Sequence, residues 1–399
     1  MPLDDQGTDC PLDGVRVLEL GQVISAPYAG LLLADLGAEV IKVEQPPFGD
    51  SARNPGVTGM GEDSATFVTL NRNKRSICLD LKDPTDYEVF RELVAGADVV
   101  LTNTLPDAAR RLRVDHEALS SINPRVITCY IQGFPSRDPR SDEPSFDLTH
   151  QALAGYMLME GSPGDPPLRV CIPIADLAGA MFAAYGVLAA LFSRERTGRG
   201  ERIEVPMYDS LLSLLTYTAT LYLNTGKPPR RMGSAHEYAA PWQSVSAADG
   251  SLVVAVRSDK FWQRLCTAID REEWIEDTRF ATNAQRLANR EALDAALAGV
   301  FGTRKVADWI AVLRASQVPA APVRTVGQAL DELAAQQDDL IASLDHERLG
   351  DVKVLRNPVR FAGMTTARLI AEPHFDADGA KLREQPWAAR AERATGRES

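Results

Sequence analysis

The N-terminal third of the chain alternates short apolar runs with segments of helical period. Residues 16–20 (RVLEL) read as a strand, 21–26 as a loop and 27–36 as a helix. Pro27 suits the helix start because it has no amide hydrogen to leave unpaired there, and Gly37 suits the C-terminal cap. A second strand follows at 39–43, and strand–helix–strand order with short links predicts parallel pairing through a right-handed crossover. The alternation continues with a strand at 76–81, a helix at 86–96, a strand at 98–101, a helix at 106–112 and a strand at 126–131. This is the pattern of an open α/β sheet. Ligands of such sheets bind beyond the carboxyl ends of the strands, which are here the segments 20–25, 43–48, 103–106 and 132–135.

The longest apolar stretch, 177–192, is rich in Ala and Gly and predicts a helix packed closely on its neighbours. At 16 residues, ending in Arg194-Glu-Arg196, it suits a buried core helix better than a membrane span. A turn at 197–200, a strand at 202–205 and a helix at 207–223 follow. Past Asn224 the character changes: 226–231 reads as a linker, 247–256 as a strand with a turn, and 260–269, 286–301 and 306–316 as amphipathic helices. The organisation expected is a large domain over 10–224, a small α+β domain over 225–330, a segment 331–385 returning to the first domain, and a loose tail at 386–399.

Composition narrows the function classes. Of 399 residues, 45% are hydrophobic and 25% charged, as in ordinary globular chains, and that length exceeds what one core usually fills. A formal charge of −12 argues against nonspecific nucleic-acid binding and against an anionic membrane surface. The five cysteines and five histidines are scattered, with no CxxC pair and no metal-ligand spacing, so neither a disulfide frame nor a metal site is expected. The first residues lack the basic and apolar regions of a signal peptide, and the chain reads as cytoplasmic. The loop after the first strand, Gly21-Gln-Val-Ile-Ser-Ala-Pro27, is not GxGxxG, so a dinucleotide-dependent oxidoreductase is disfavoured.

Two acids carry the candidate chemistry. Asp176 stands at the mouth of the apolar helix, where the helix N-terminus is expected to favour the ionised carboxylate. Asp147 precedes it in Pro144-Ser-Phe-Asp-Leu148. A desolvated, positioned carboxylate can attack a thioester. From position alone, however, the first reads more readily as a helix N-cap, worth ~1 kcal/mol, and the second as a turn former.

The company these acids keep resembles the family III coenzyme A transferases, also called the CaiB/BaiF family. The resemblance runs in order through residues 11–20 (PLDGVRVLEL), 33–44 (LADLGAEVIKVE), 71–76 (NRNKRS), 146–148 (FDL), 174–177 (IADL), 188–191 with 194–200, and 318–323 (VPAAPV). It implies an open Rossmann-like parallel sheet domain with a smaller α+β domain, in an interlocked homodimer. It also implies Asp176 as nucleophile, Asp147 as a supporting acid, and coenzyme A contacts at Ile24, Ser25, Leu79, Lys82, Asn103, Thr104, Leu105 and Arg111. Lys82 and Arg111 are sensible phosphate partners. Lys74 and Arg75 look like another, but a turn entering a strand explains them equally well. No permanently bound cofactor and no metal are implied; the substrates would be acyl-CoA, with succinyl-CoA the favoured donor, and a small carboxylic acid. The alternative activity in the family, α-methylacyl-CoA racemisation, pairs the aspartate with a histidine where this chain has Phe146, which moves no proton. Residues 233–243 lack the glycine run of the formyl-CoA transferases, which disfavours formate and oxalate.

Overall fold

The computed structural model describes residues 10–56, 59–61, 63–336, 338–362 and 369–387. The chain forms two compact units. The first contains the residues up to 154, 171–219 and those from 338 onward; the second contains 155–170 and 220–337.

The first unit is built on six strands: β1 (Arg16–Glu19), β2 (Glu39–Glu44), β3 (Lys74–Cys78), β4 (Val99–Thr102), β5 (Ile127–Gln132) and β6 (Arg202–Pro206). Their spatial order is β3-β2-β1-β4-β5-β6, and every pairing is parallel. That is the 3-2-1-4-5-6 order of a doubly wound sheet, in which the chain leaves β1 to one side and β4 lies on its other side. The crevice between the carboxyl ends of β1 and β4 is the place where such folds hold ligands.

Helix α1 (Ser25–Ala34) starts two residues before Pro27, so the proline sits inside the first turn, where a missing N–H is still harmless. Gly37 adopts φ 101°, a conformation that favours glycine, and its N–H bonds Ala34 O. α2 (Pro84–Gly96) and α3 (Pro106–Arg111) both open with proline. α4 (Asp147–Leu153) and α5 (Ile174–Thr197) follow. α5 is 24 residues long rather than the expected 16, extended at both ends. By length and composition it could cross a bilayer. One flank of it is nevertheless core: Ala175, Ala178, Gly179, Ala183 and Val187 are buried, and Arg194 pairs with Asp98 at 2.9 Å. One such core helix does not make a membrane protein. The expected helix at 207–223 is broken by Thr216 (φ 47°) into Met207–Leu214 and Tyr217–Thr225.

β3 is an edge strand, and the returning C-terminal segment closes it. Asp378 accepts the Ser76 N–H at 3.0 Å and Asp376 the Cys78 N–H at 2.7 Å, while Arg75 pairs with both Glu39 and Asp378. Carboxylates replace a neighbouring strand as acceptors, and the exposed ladder is blocked against pairing with another chain. Trp387 is buried, with its indole N–H on Leu93 O at 2.9 Å; the rest of the expected loose tail, 388–399, lies outside the described residues.

The second unit holds a three-stranded antiparallel sheet of Trp242–Ala247, Gly250–Ala255 and Ala320–Pro322. Helices Asp259–Ala268, Arg290–Phe301 and Val306–Ala315 belong to the same unit, whose core contains Trp262, Trp274, Phe280, Phe301 and Trp309. Arg286 is fully buried there, its guanidinium satisfied by the carbonyls of Ala240 (2.6 Å) and Phe280 (2.8 Å). Residues 155–170 belong to this unit through Arg231, which donates to Met157 O and Leu158 O, both at 3.0 Å.

Candidate active site

The loop after β1 is fixed from three directions. Asn103, one residue past β4, accepts the Gln22 N–H on Oδ1 (3.0 Å) and donates from Nδ2 to Gln22 O (2.9 Å) and Ser25 Oγ (3.1 Å). Asp50 accepts the Val23 N–H at 3.0 Å. From below, the Lys42 ammonium reaches Gly21 O at 2.9 Å. This clamping holds Val23 at φ 66°, a left-handed conformation that costs a β-branched residue about 1–3 kcal/mol. Backbone strain of this kind marks a position that the surroundings over-determine.

Beneath the loop lies a fully buried charge cluster that the sequence does not announce. Glu19 at the end of β1 takes Lys42 on one oxygen (2.8 Å) and Lys74 on the other (2.7 Å); Lys42 also pairs with Asp50 (2.9 Å). Burial pushes the Lys74 ammonium down to about 8 against the pull of Glu19. Burial works against Lys42 too, but Glu19 and Asp50 outweigh it and hold its pKa above the ordinary value. Lys74 is therefore a structural partner of Glu19, with its remaining hydrogens on Pro27 O and Asn71 Oδ1, and is not free to meet a phosphate.

The two acids come together at the start of α5. Asp176 is the third residue of the helix rather than its N-cap, which is Pro173 with no capping side chain. The cap comes from Asp147, whose Oδ1 accepts the Ala175 N–H at 2.7 Å while Oδ2 accepts from Gln151 Nε2 at 2.7 Å. The Asp176 carboxyl is pushed up to about 6, first by burial and then by the Asp147 charge, with the Ser25 hydrogen bond acting the other way. Burial and the like charge thus work against the ionised form that the helix N-terminus was expected to favour, although a carboxyl at about 6 is still mostly ionised at neutral pH. A dipole contribution of about 0.3–1 kcal/mol is smaller than the roughly 3 kcal/mol that separates a carboxyl at about 6 from one at 3.8.

A cleft of about 460 Å³ opens beyond β1, β2 and β4, lined by Gln22, Gln45, Leu79, Lys82, Thr104 and Arg111, among others. Of the expected coenzyme A contacts it unites Leu79, Lys82, Thr104 and Arg111. Leu79 turns its side chain into the core, and Lys82 and Arg111 are exposed. Ser25 and Asn103 do not line the cleft themselves; Asn103 bonds both Ser25 and Gln22, and Gln22 lines it. Ile24 and Leu105 precede α1 and α3 and do not line the cleft.

Two further groups lie outside the expected site residues. His150 is buried, bonds Ser145 at 3.0 Å, and is driven by burial to about 4, so it stays neutral. Asp63, His346 and Glu372 bring metal-ligating atoms within 4.8 Å of one another. His346 Nδ1 accepts the N–H groups of Arg348 (3.2 Å) and Leu349 (3.1 Å), which leaves the hydrogen on Nε2, where Glu372 accepts it at 2.7 Å. An imidazole engaged on both nitrogens has no lone pair to offer a cation.

Known proteins share this architecture and sequence. A CaiB/BaiF family protein from Brucella suis superposes with a TM-score of 0.82 at 34% identity, over 94% of this chain and 99% of that one. An acetyl-CoA:oxalate CoA-transferase of Acetobacter aceti is 37% identical over 96% of this chain and 95% of its own. A succinyl-CoA:mesaconate CoA-transferase of Haloarcula hispanica is 36% identical over 93% and 95%. A succinyl-CoA:glutarate CoA-transferase of the mouse is 32% identical over 90% and 83%. Residues 12–379 match the family described as CoA-transferase family III, and the chain belongs to that family.

Proposed function

We propose that this enzyme moves coenzyme A from an acyl-CoA donor to a small dicarboxylic acid through covalent intermediates on Asp176. The observation carrying this reading is a half-buried carboxyl at the start of α5, raised to about 6 by burial and by the Asp147 charge, in the same unit as a cleft that carries a lysine and an arginine. At neutral pH such a group is mostly ionised yet poorly solvated, which favours nucleophilic attack.

The steps balance without any redox partner. An Asp176 oxygen attacks the thioester carbonyl, the C–S bond breaks, and a mixed anhydride and the coenzyme A thiolate result. The thiolate attacks the aspartyl carbonyl, releases the donor as its carboxylate and leaves an aspartyl thioester. The acceptor carboxylate then attacks that thioester and expels the thiolate, which attacks the acceptor carbonyl of the new anhydride and restores Asp176. Asp147 supports the reaction by fixing the first turn of α5 and by setting the charge environment. Lys82 and Arg111 would hold phosphates of the nucleotide end.

The named relatives use acetyl-CoA or succinyl-CoA as donor, and oxalate, glutarate or mesaconate as acceptor. All three acceptors are dicarboxylates, which supports that acid class here. Oxalate belongs to it despite the missing glycine run. Racemisation finds no second base at these two positions: Phe146 has none to offer, and His150 is buried, bonded to Ser145 and, at about 4, a weak base.

A homodimer completes the reading. On α5 the face opposite the sheet presents Met181, Phe182, Tyr185, Leu188 and Phe192, with Tyr185 71% and Phe192 68% exposed. An apolar row of this length is suited to a partner subunit. Localisation in the cytoplasm fits a substrate pool of acyl-CoA.

The test is incubation with a panel of acyl-CoA thioesters and carbon-13-labelled dicarboxylic acids in heavy water, read by mass spectrometry. Labelled acid converted to a new thioester, and lost in Asp176→Ala, establishes the transfer. Deuterium at the α-carbon without exchange of the acid would overturn it in favour of racemisation.

A further inference from the structure

We propose that Gln151 is a positioning residue for the transfer: its side-chain amide holds the Asp147 carboxylate against the first turn of α5, and so fixes the backbone that carries Asp176. The inference rests on the reading of Asp176 as nucleophile and adds to it a residue that acts through Asp147.

Gln151 lies four residues after Asp147 on α4, so the two side chains share one face of that helix. Its Nε2 donates to Asp147 Oδ2 at 2.7 Å, while the Ala175 N–H donates to Asp147 Oδ1, also at 2.7 Å. Each carboxylate oxygen thus answers to a different helix, and Ala175 is the residue immediately before Asp176. The first N–H groups of any helix lack acceptors within it. At the N-cap of α5 stands Pro173, which offers no capping side chain. Asp147 takes over that role from α4, so the start of α5 depends on how the Asp147 side chain is aimed.

Burial shows what does the aiming. Gln151 is fully buried, whereas Asp147 is half-buried and within reach of water. A carboxylate with that access gains hydration by turning outward. The Gln151 amide opposes the turn, because its N–H would lose a charged acceptor in a place closed to water. The backbone around Asp147 is held by other bonds: His150 Nε2 lies 3.0 Å from Ser145 Oγ, and Thr149 Oγ1 accepts the Phe146 N–H at 3.1 Å. Those contacts fix where α4 begins. Gln151 and Ala175 set the Asp147 side chain, and through it the place of Asp176.

The experiment compares wild-type protein, Gln151→Leu and the exchanged pair Asp147→Asn with Gln151→Glu, all full length. Amide hydrogen exchange is followed by mass spectrometry on the substrate-free protein and needs no turnover. It is read on the fragment that contains Ala175, and on fragments from β1 and from the C-terminal half of α5. Gln151→Leu fills a similar volume without a donor, so the Ala175 fragment should exchange about tenfold faster, with the other fragments unchanged. In steady-state kinetics kcat should fall about tenfold with KM for the acyl-CoA little changed, as for a misplaced reacting group. In the exchanged pair the new asparagine keeps an oxygen for the Ala175 N–H and donates its amide to the new carboxylate. Exchange at Ala175 should then return to the wild-type rate. Wild-type exchange of the Ala175 fragment in Gln151→Leu would overturn the proposal, as would faster exchange in every fragment, the mark of general loosening. An exchanged pair that loses protection at Ala175 would do the same, and it decides the matter alone if Gln151→Leu does not fold. Failure of Asp176 to form an acyl adduct would sink the proposed reaction instead, and would leave the exchange result to decide the role of Gln151.

Discussion

The carboxylate of Asp147 caps the helix that carries Asp176, accepting the Ala175 N–H at 2.7 Å. The same charge raises the Asp176 carboxyl. These two effects separate by substitution. Asp147→Asn keeps an oxygen for the cap and removes the charge, so the acid limb of activity should move below pH 6. Asp147→Ala loses the cap as well and should lower stability by ~1 kcal/mol. A pH–rate profile beside a denaturant titration distinguishes them.

Asp176 should be a stability cost at neutral pH. Its folded pKa is raised from 3.8 to about 6, so the folded state holds the proton more tightly than the unfolded chain between those values. Stability therefore falls as pH rises through that window, and above it the loss is about 2–3 kcal/mol. Asp176→Asn carries no such penalty: it should abolish transfer and stabilise the protein at pH 7, with the gain vanishing below about pH 4. Urea denaturation of both proteins across that range is the check.

Arg111→Ala and Lys82→Ala should raise KM for acyl-CoA with little change in kcat. Each loses a charge-assisted contact, worth about tenfold in affinity. The defect should shrink as salt increases, because both side chains are exposed. Steady-state kinetics at two ionic strengths would show it.

Lys74→Met should unfold the protein far more readily without a specific kinetic signature. It leaves half of the Glu19 charge unpaired in a site closed to water, a loss of about 3–5 kcal/mol by analogy with other buried pairs. Thermal denaturation would register it.

Tyr185→Asp combined with Phe192→Asp should yield a monomer. Both side chains are largely exposed on α5, so the substitutions cost the isolated fold little. Sedimentation of the variant against the parent tests the dimer; a parent that is already monomeric would refute it.

Much of the sheet was legible because its strands are short apolar runs between turn-forming segments. The exception was β3. It was expected at 76–81 and lies at Lys74–Cys78, because two basic residues at its start read as a turn. Lys74 is a core residue only by virtue of Glu19, 55 positions earlier, and no local pattern encodes that pairing. An open parallel sheet was expected, but the order of its strands was not, because pairings between distant segments set it. Nor was the raised pKa of Asp176 legible, because it depends on burial and on the charge of Asp147 that folding brings near it. The group Asp63–His346–Glu372 escaped for a related reason: metal-ligand spacing is a local signal, and Asp63 comes from a segment far from the other two in the chain.

The seal on β3 has a consequence for how the molecule is made. The acids that cover the Ser76 and Cys78 amides are 302 and 298 residues downstream of them. A ribosome therefore releases the first half of the sheet long before it releases the seal. During that interval the nascent chain carries an open strand edge, an invitation to neighbouring chains that only late synthesis withdraws. A chain cut short before Asp376 would keep that edge open permanently, with its nucleophile and its cleft residues already in place in the sequence.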